Sequence, residues 1–174
     1  MNSKYFSKQP IRNEQGFTLI ELLVVIIILS ILSAISLPSF LNQANKAKQA
    51  EAKQYVGTLN RVQQAYYLER SAFASTLTDL ANPVPASTNN YDYTFSAITP
   101  ESTNVINYGT SKAGALKSYD GMVSISVVEA SSDATTTAVL CEANAPGANP
   151  ATDPTPPDFG SSDRPACGDG TTAL

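Results

Sequence analysis

The chain has 174 residues and a mass of 18.4 kDa, one domain's worth or one domain plus an appendage. It contains no His, no Trp and two Cys, and its formal net charge is −4. The missing His excludes Ser-His-Asp hydrolases, His-ligated zinc and most general-base chemistry at neutral pH, and the acidic balance argues against nucleic-acid binding through overall charge. Charged residues make up only 15% of the chain, against roughly 25% in an average soluble domain. Ser and Thr together number 35, so hydroxyls supply much of the polarity.

The first 16 residues carry Lys4, Lys8 and Arg12 against Glu14. Phe17 to Leu37 follows as an almost wholly apolar run, FTLIELLVVIIILSILSAISL, with Glu21 as its one charge. At about 1.5 Å per residue such a helix spans roughly 30 Å, enough to cross a bilayer core. The basic flank leaves the N-terminus in the cytoplasm and sends the C-terminal body across. A cleaved secretory signal is one reading, with Ala34-Ile35-Ser36 as the small-x-small site, but the run exceeds the usual 7–15 apolar residues. A plain membrane anchor is another. It leaves Glu21 unexplained, because a carboxylate at the centre of a spanning helix costs about 2.5–3.5 kcal/mol on insertion scales.

Gly16-Phe17-Thr18-Leu19-Ile20-Glu21-Leu22-Leu23-Val24-Val25 resembles the class III signal of type IV prepilins and type II secretion pseudopilins. The resemblance runs from Gly16 to Leu37, and Pro38 falls where that family carries its helix proline. It implies a leader of residues 1–16, cleavage between Gly16 and Phe17 by a prepilin peptidase, and N-methylation of Phe17. It implies that the apolar helix is kept and that Glu21 is the assembly carboxylate. Cleavage would create a cationic amine four residues from Glu21. Each charge would be costly alone in hydrocarbon, and a pair between neighbouring subunits would set axial register.

Residues 17–38 are thus expected to form the transmembrane or filament-core helix, and 39–70 its amphipathic continuation, one helix from about Phe17 to about Glu69. Leu41, Ala44, Ala52, Tyr55, Leu59, Val62 and Tyr66 recur at three- and four-residue steps and predict the buried stripe. Lys53, Asn60, Gln63 and Gln64 fall between them. Pro38 is expected to kink the helix or free a carbonyl. Gly57 weakens it by about 1 kcal/mol relative to Ala, a tolerated imperfection.

Residues 71–120 read as a variable connector with short elements. Asn82-Pro83-Val84-Pro85 breaks any helix, Tyr91–Ile98 alternates like a half-buried strand, and Asn104–Tyr108 predicts a second short strand. Met122–Glu129 alternates cleanly and Ala134–Glu142 is rich in β-formers, giving a hairpin over 121–142. A small antiparallel sheet of three or four strands is expected to cover the helix stripe.

From Cys141 to Leu174 six prolines and four glycines predict loop without strand or helix. Cys141 and Cys167 could be a disulfide, buried free thiols or part of a metal pair. Export across the membrane favours the disulfide, and a lone Cys pair without His is poor for zinc. The resemblance agrees, since many type IV pilins carry a disulfide-bounded C-terminal loop over 141–174, which pseudopilins usually lack. Asp153, Asp158, Asp163 and Asp169 match no EF-hand spacing and are read as solubilising charge, with no metal and no cofactor expected; the alternative, implied by resemblance to major pseudopilins, is a calcium site in this loop.

The expected fold class is therefore α+β, a long N-terminal α-helix packed on a small antiparallel β-sheet, the type IV pilin fold. The expected role is a structural filament subunit and not an enzyme, since no catalytic constellation appears in residues 40–174. Leu59-Asn60-Arg61-Val62-Gln63-Gln64-Ala65-Tyr66-Tyr67, followed by Phe73, looks like the corresponding stretch of cyanobacterial pilins. The implied partners are copies of the same chain in a helical filament, the prepilin peptidase/N-methyltransferase, the pilus assembly machinery with minor pilins, and the inner membrane that holds the precursor. Direct nucleic-acid binding is not expected. The implied roles are twitching motility, adhesion and DNA uptake. The rivals are a type II secretion pseudopilin and a membrane-anchored or secreted binding protein that forms no filament.

Overall fold

A computed structural model describes residues 16–96, 102–128, 133–147, 165–168 and 170–174. They form one helix, α1 (Leu19–Arg70), and five strands: β1 (Tyr91–Phe95), β2 (Asn104–Ser111), β3 (Tyr119–Val128), β4 (Asp133–Ala143) and β5 (Thr171–Ala173). The chain divides into two compact units, Met1–Leu41 and Asn42–Leu174.

The described part of the first unit is residues 16–18 and the leading stretch of α1. Its large apolar side chains are open, from 46% exposed at Leu23 to 82% at Leu19, so nothing among the described residues covers them. The helix is long and apolar enough to cross a membrane. Ser30 folds its hydroxyl back onto the Ile26 carbonyl (2.6 Å), which satisfies the one polar atom of that side chain inside an apolar stretch. Pro38 lies within α1, where it removes one backbone donor.

In the second unit α1 continues to Arg70 and stops where Ser71 enters the left-handed region (φ 54°), its N–H bonding the Tyr67 carbonyl at 2.7 Å. Gly57 is absorbed within the helix as expected, and a Cβ there would meet nothing within 4 Å. The expected stripe needs correction. Ala52, Val56, Leu59, Asn60 and Gln63 are the buried residues of α1, while Leu41 is 55% exposed. Tyr55, Val62 and Tyr66 are half-buried at the margin of the core. The buried face is centred on Val56 and Asn60, because it is chosen by what the sheet presents to it.

The sheet is an antiparallel meander in the order β1-β2-β3-β4-β5. It has five strands rather than three or four. The two short strands expected within the connector are present as β1 and β2, and β3 begins at Tyr119, just inside that stretch. The C-terminal stretch expected to be free of strand supplies β5, which pairs Cys141 with Ala173 and Ala143 with Thr171. Leu174 extends that edge by donating its N–H to the Leu140 carbonyl (3.0 Å). A strand of three residues carries little signal of its own, and the neighbouring strand defines it.

One face of the sheet receives α1. Ala52, Val56 and Leu59 pack with Tyr91, Tyr93, Leu116 and Tyr119 into the main core, and Phe73, Val105 and Val123 form a second cluster. Glycines at 109 and 121 permit the close approach. A Cβ at Gly109 would strike Val56, and one at Gly121 would strike Asn60. The other face is covered too, since Ile106, Met122, Ser124 and Cys141 are all buried. The clean alternation of β3 therefore does not mark a wet face. Met122 and Val123 point to opposite sides and both are fully buried.

Candidate processing and assembly site

Gly16, Phe17 and Thr18 precede the helix, and Phe17 is 79% exposed. A Cβ at Gly16 would meet nothing within 4 Å, so packing among the described residues does not require glycine there. Thr18 is the N-cap of α1 and Glu21 its third helical residue, and they form a reciprocal capping box. Glu21 Oε2 accepts from the Thr18 backbone N–H and from the Thr18 hydroxyl, both at 2.8 Å. Thr18 Oγ1 accepts from the Glu21 N–H at 3.3 Å. The structure thus gives Glu21 a partner that the sequence reading did not assign. The Thr-x-x-Glu spacing at the head of an apolar run was the available signal. Glu21 Oε2 takes both Thr18 bonds, and Oε1 takes none among the described residues.

Cys141 and Cys167 are joined in a disulfide, with their Cα atoms 5.7 Å apart. The bond ties Pro165–Gly168 to the buried end of β4, and both Pro165 and Gly168 are buried there. Asp153, Asp158, Asp163 and Asp169 lie outside the described residues.

Beside the disulfide, Glu142 gathers charge from two elements. Its Oε2 lies 2.9 Å from Lys53 on α1 and its Oε1 2.7 Å from Lys117 ahead of β3. The Tyr119 hydroxyl lies 3.1 Å from Oε2, and Lys53 also sits 5.6 Å above the Tyr119 ring. Burial works against the Glu142 charge, but the bonds from Lys117, Lys53 and Tyr119 outweigh it and hold the carboxyl below its ordinary range.

Three helix amides expected between the stripe residues are structural fasteners. Asn60 Nδ2 donates to the Val139 carbonyl (2.9 Å), and its Oδ1 accepts from Asn107 Nδ2 (2.7 Å). Gln63 clamps Ala74 on both sides, donating to its carbonyl (2.9 Å) and accepting its N–H (3.0 Å). Gln64 donates to the Thr136 carbonyl at 3.1 Å. Among the described residues no group of three or more His, Cys, Asp or Glu is placed to hold a metal.

The chain thus pairs an exposed apolar helix with a capped acidic start to a helix fastened on an antiparallel sheet and closed by a disulfide. Residues 49–168 match the family described as type IV pilin-like G and H, and residues 11–37 match the prokaryotic N-terminal methylation motif. The first match covers more than half of the chain, which therefore belongs to the type IV pilin-like G and H family. No curated protein and no solved structure matches it. Proteins of this family are structural subunits and not enzymes. The methylation motif and the exposed apolar helix fit a membrane-anchored precursor. Motif and family together imply processing by a prepilin peptidase and assembly into pilus-type oligomers.

Proposed function

We propose that the chain is the structural subunit of an extracellular type IV pilus filament, stored in the inner membrane as a single-pass prepilin with its N-terminus in the cytoplasm. The supporting observation is the capped apolar helix. The run from Phe17 to Leu41 exposes its apolar side chains and carries Glu21 as its only charge. Such a surface needs lipid or other copies of itself. The leader 1–16 is removed between Gly16 and Phe17, and Phe17 is methylated. The glycine, which packing among the described residues does not require, then answers to the peptidase. In assembly the Phe17 amine of an incoming copy meets Glu21 Oε1 of its neighbour while Oε2 keeps Thr18. Pro38 gives the packed helix a point of local bending.

The Cys141–Cys167 bond favours a pilin over a type II secretion pseudopilin, given that pseudopilins usually lack it. Pairing with minor pilins and the assembly machinery, service in twitching motility, adhesion or DNA uptake, and a cyanobacterial major-pilin affiliation belong to the same proposal. Mass spectrometry of subunits from sheared surface filaments tests it. The expected N-terminus is N-methylated Phe17, and a mature chain beginning at Leu37 would overturn the proposal. Glu21→Ala is expected to abolish filaments while precursor accumulates in the membrane; filament yield equal to wild type would remove the pairing role.

A further inference from the structure

No acidic residue occurs between Leu22 and Ala50, and the first charges after Glu21 are Lys46 and Lys48. Both are exposed on α1. The other described lysines of this unit are engaged: Lys53 and Lys117 hold Glu142, and Lys112 holds Asp92 at 3.0 Å. Lys46 and Lys48 make no ion pair or hydrogen bond among the described residues. Two positions along a helix turn a side chain by about 200°, so these two ammonium groups leave α1 on opposite sides. A single docked helix or groove could meet one of them. A layer of anions surrounding the helix would meet both.

In sequence they stand five and seven residues beyond Leu41, the last exposed large apolar residue of the run. For a spanning helix that separation amounts to a rise of roughly 8–10 Å, and a lysine stem can reach back by several Å. The headgroup layer of a bilayer is about 5–8 Å deep on each side. We propose that Lys46 and Lys48 form a two-sided cationic collar that binds anionic lipid headgroups on the outer side of the membrane storing the precursor. This rests on the membrane-stored reading above. It adds a lipid class and the residues that select it. The collar would fix how deep the helix sits and would hold the precursor at that depth until extraction into a filament, when the lysines leave the headgroups. Juxtamembrane lysines interact with anionic surfaces in this way, and salt weakens them.

The absence of Trp gives a clean reporter. Phe40→Trp in the full-length chain places one indole within the apolar run. The chain is reconstituted in vesicles of phosphatidylcholine and phosphatidylglycerol in equal amounts, with one lipid brominated in its acyl chains in each set. Brominated phosphatidylglycerol is expected to occupy the shell around that indole about threefold more than brominated phosphatidylcholine, judged by quenching. Lys46→Gln/Lys48→Gln is expected to bring the two lipids to equality, and about 0.5 M salt to shrink the preference. Arg61→Gln, a neutralised exposed cation further along α1, is expected to keep it. Equal quenching in the parent, or a preference unchanged in the double variant, overturns the collar while leaving membrane insertion intact. Equal quenching combined with loss of oligomers in the double variant would assign the lysines to a second copy and likewise overturn it. Quenching by neither lipid would overturn the membrane reading and the collar together.

Discussion

Asn60 on α1 sits against Gly121 on β3 so closely that a Cβ at residue 121 would collide with the Asn60 side-chain amide. The amide uses both ends, accepting from Asn107 of β2 and donating to the Val139 carbonyl of β4. One helix side chain therefore reads three adjacent strands, and this part of α1 cannot slide along the sheet without orphaning buried polar atoms. A buried polar contact used for register is the best-attested role for such groups.

Gly121→Ala is expected to destabilise the sheet-bearing unit by about 2–3 kcal/mol, since overpacking against a side-chain amide fastened at both ends leaves no easy relief. Asn60→Ala alone is expected to lose about 1–3 kcal/mol by orphaning Asn107 and Val139. Combined, the two should cost less than their sum, because removing the amide makes room for the methyl. Urea unfolding of the singles and the double measures this, and strict additivity would exclude the contact.

Acid should loosen the Glu142 node. The Glu142 carboxyl is held below its ordinary value of 4.5 by Lys117, Lys53 and Tyr119 against the opposing effect of burial. A depressed carboxyl stabilises the fold above its unfolded pKa, and that contribution is lost as pH falls through the lower folded value. The melting temperature should therefore drop below about pH 4.5. Glu142→Gln should lower it at neutral pH and flatten this dependence. Asp79 and Asp92 are shifted the same way by exposed partners, so a residual slope in the variant is expected from them.

Alkali should find a buried set of phenols among the eight tyrosines. Burial, with Glu51 and Glu142 nearby, pushes Tyr91 up to about 12. Burial likewise raises Tyr93, with Glu51 adding to it, and Tyr119, with Glu142 adding to it. Absorbance titration should show these three still protonated at about pH 11. The protonated forms stabilise the fold fully below about pH 10, and that contribution fades as pH rises from there toward the folded values, so unfolding and delayed ionisation should coincide. Ionisation of these three near pH 10 would contradict the packing.

Reduction should cost stability and detach β5. Cys141–Cys167 spans 26 positions, and opening a loop of that size costs about 3 kcal/mol. Cys141→Ser/Cys167→Ser is expected to show this in urea unfolding. Hydrogen exchange should then accelerate at Thr171–Leu174, whose ladder with β4 depends on the chain being held there. Protection of those amides unchanged by reduction would show that the ladder stands on its own.

Legibility in the sequence follows the range of the interactions involved. The alternation of Tyr91, Tyr93 and Phe95 and the β-rich run around Val139 announce their strands, because a strand's own residues set its propensity and its two-residue period. Thr18 was readable as well, since a capping box is a four-residue pattern. Gln63 was not readable. A glutamine on a helix is ordinarily a solvated residue, and its full burial depends on Ala74 returning after a turn to offer both backbone groups. Nor was the opposite burial of Met122 and Val123, which requires knowing that both faces of the sheet are covered.

The apolar run, its single carboxylate, the methylation motif and the candidate cysteine pair can all be read from the residues alone. Each is a matter of consecutive residues or of composition, and a bilayer or a peptidase reads a chain in that way. Asn60 and Gln63 become fasteners, Glu142 a charged node and the last residues a fifth strand once the chain has folded. Those outcomes depend on partners tens of residues away, and a polar side chain gains a buried role only once the fold supplies every hydrogen bond that burial takes from it.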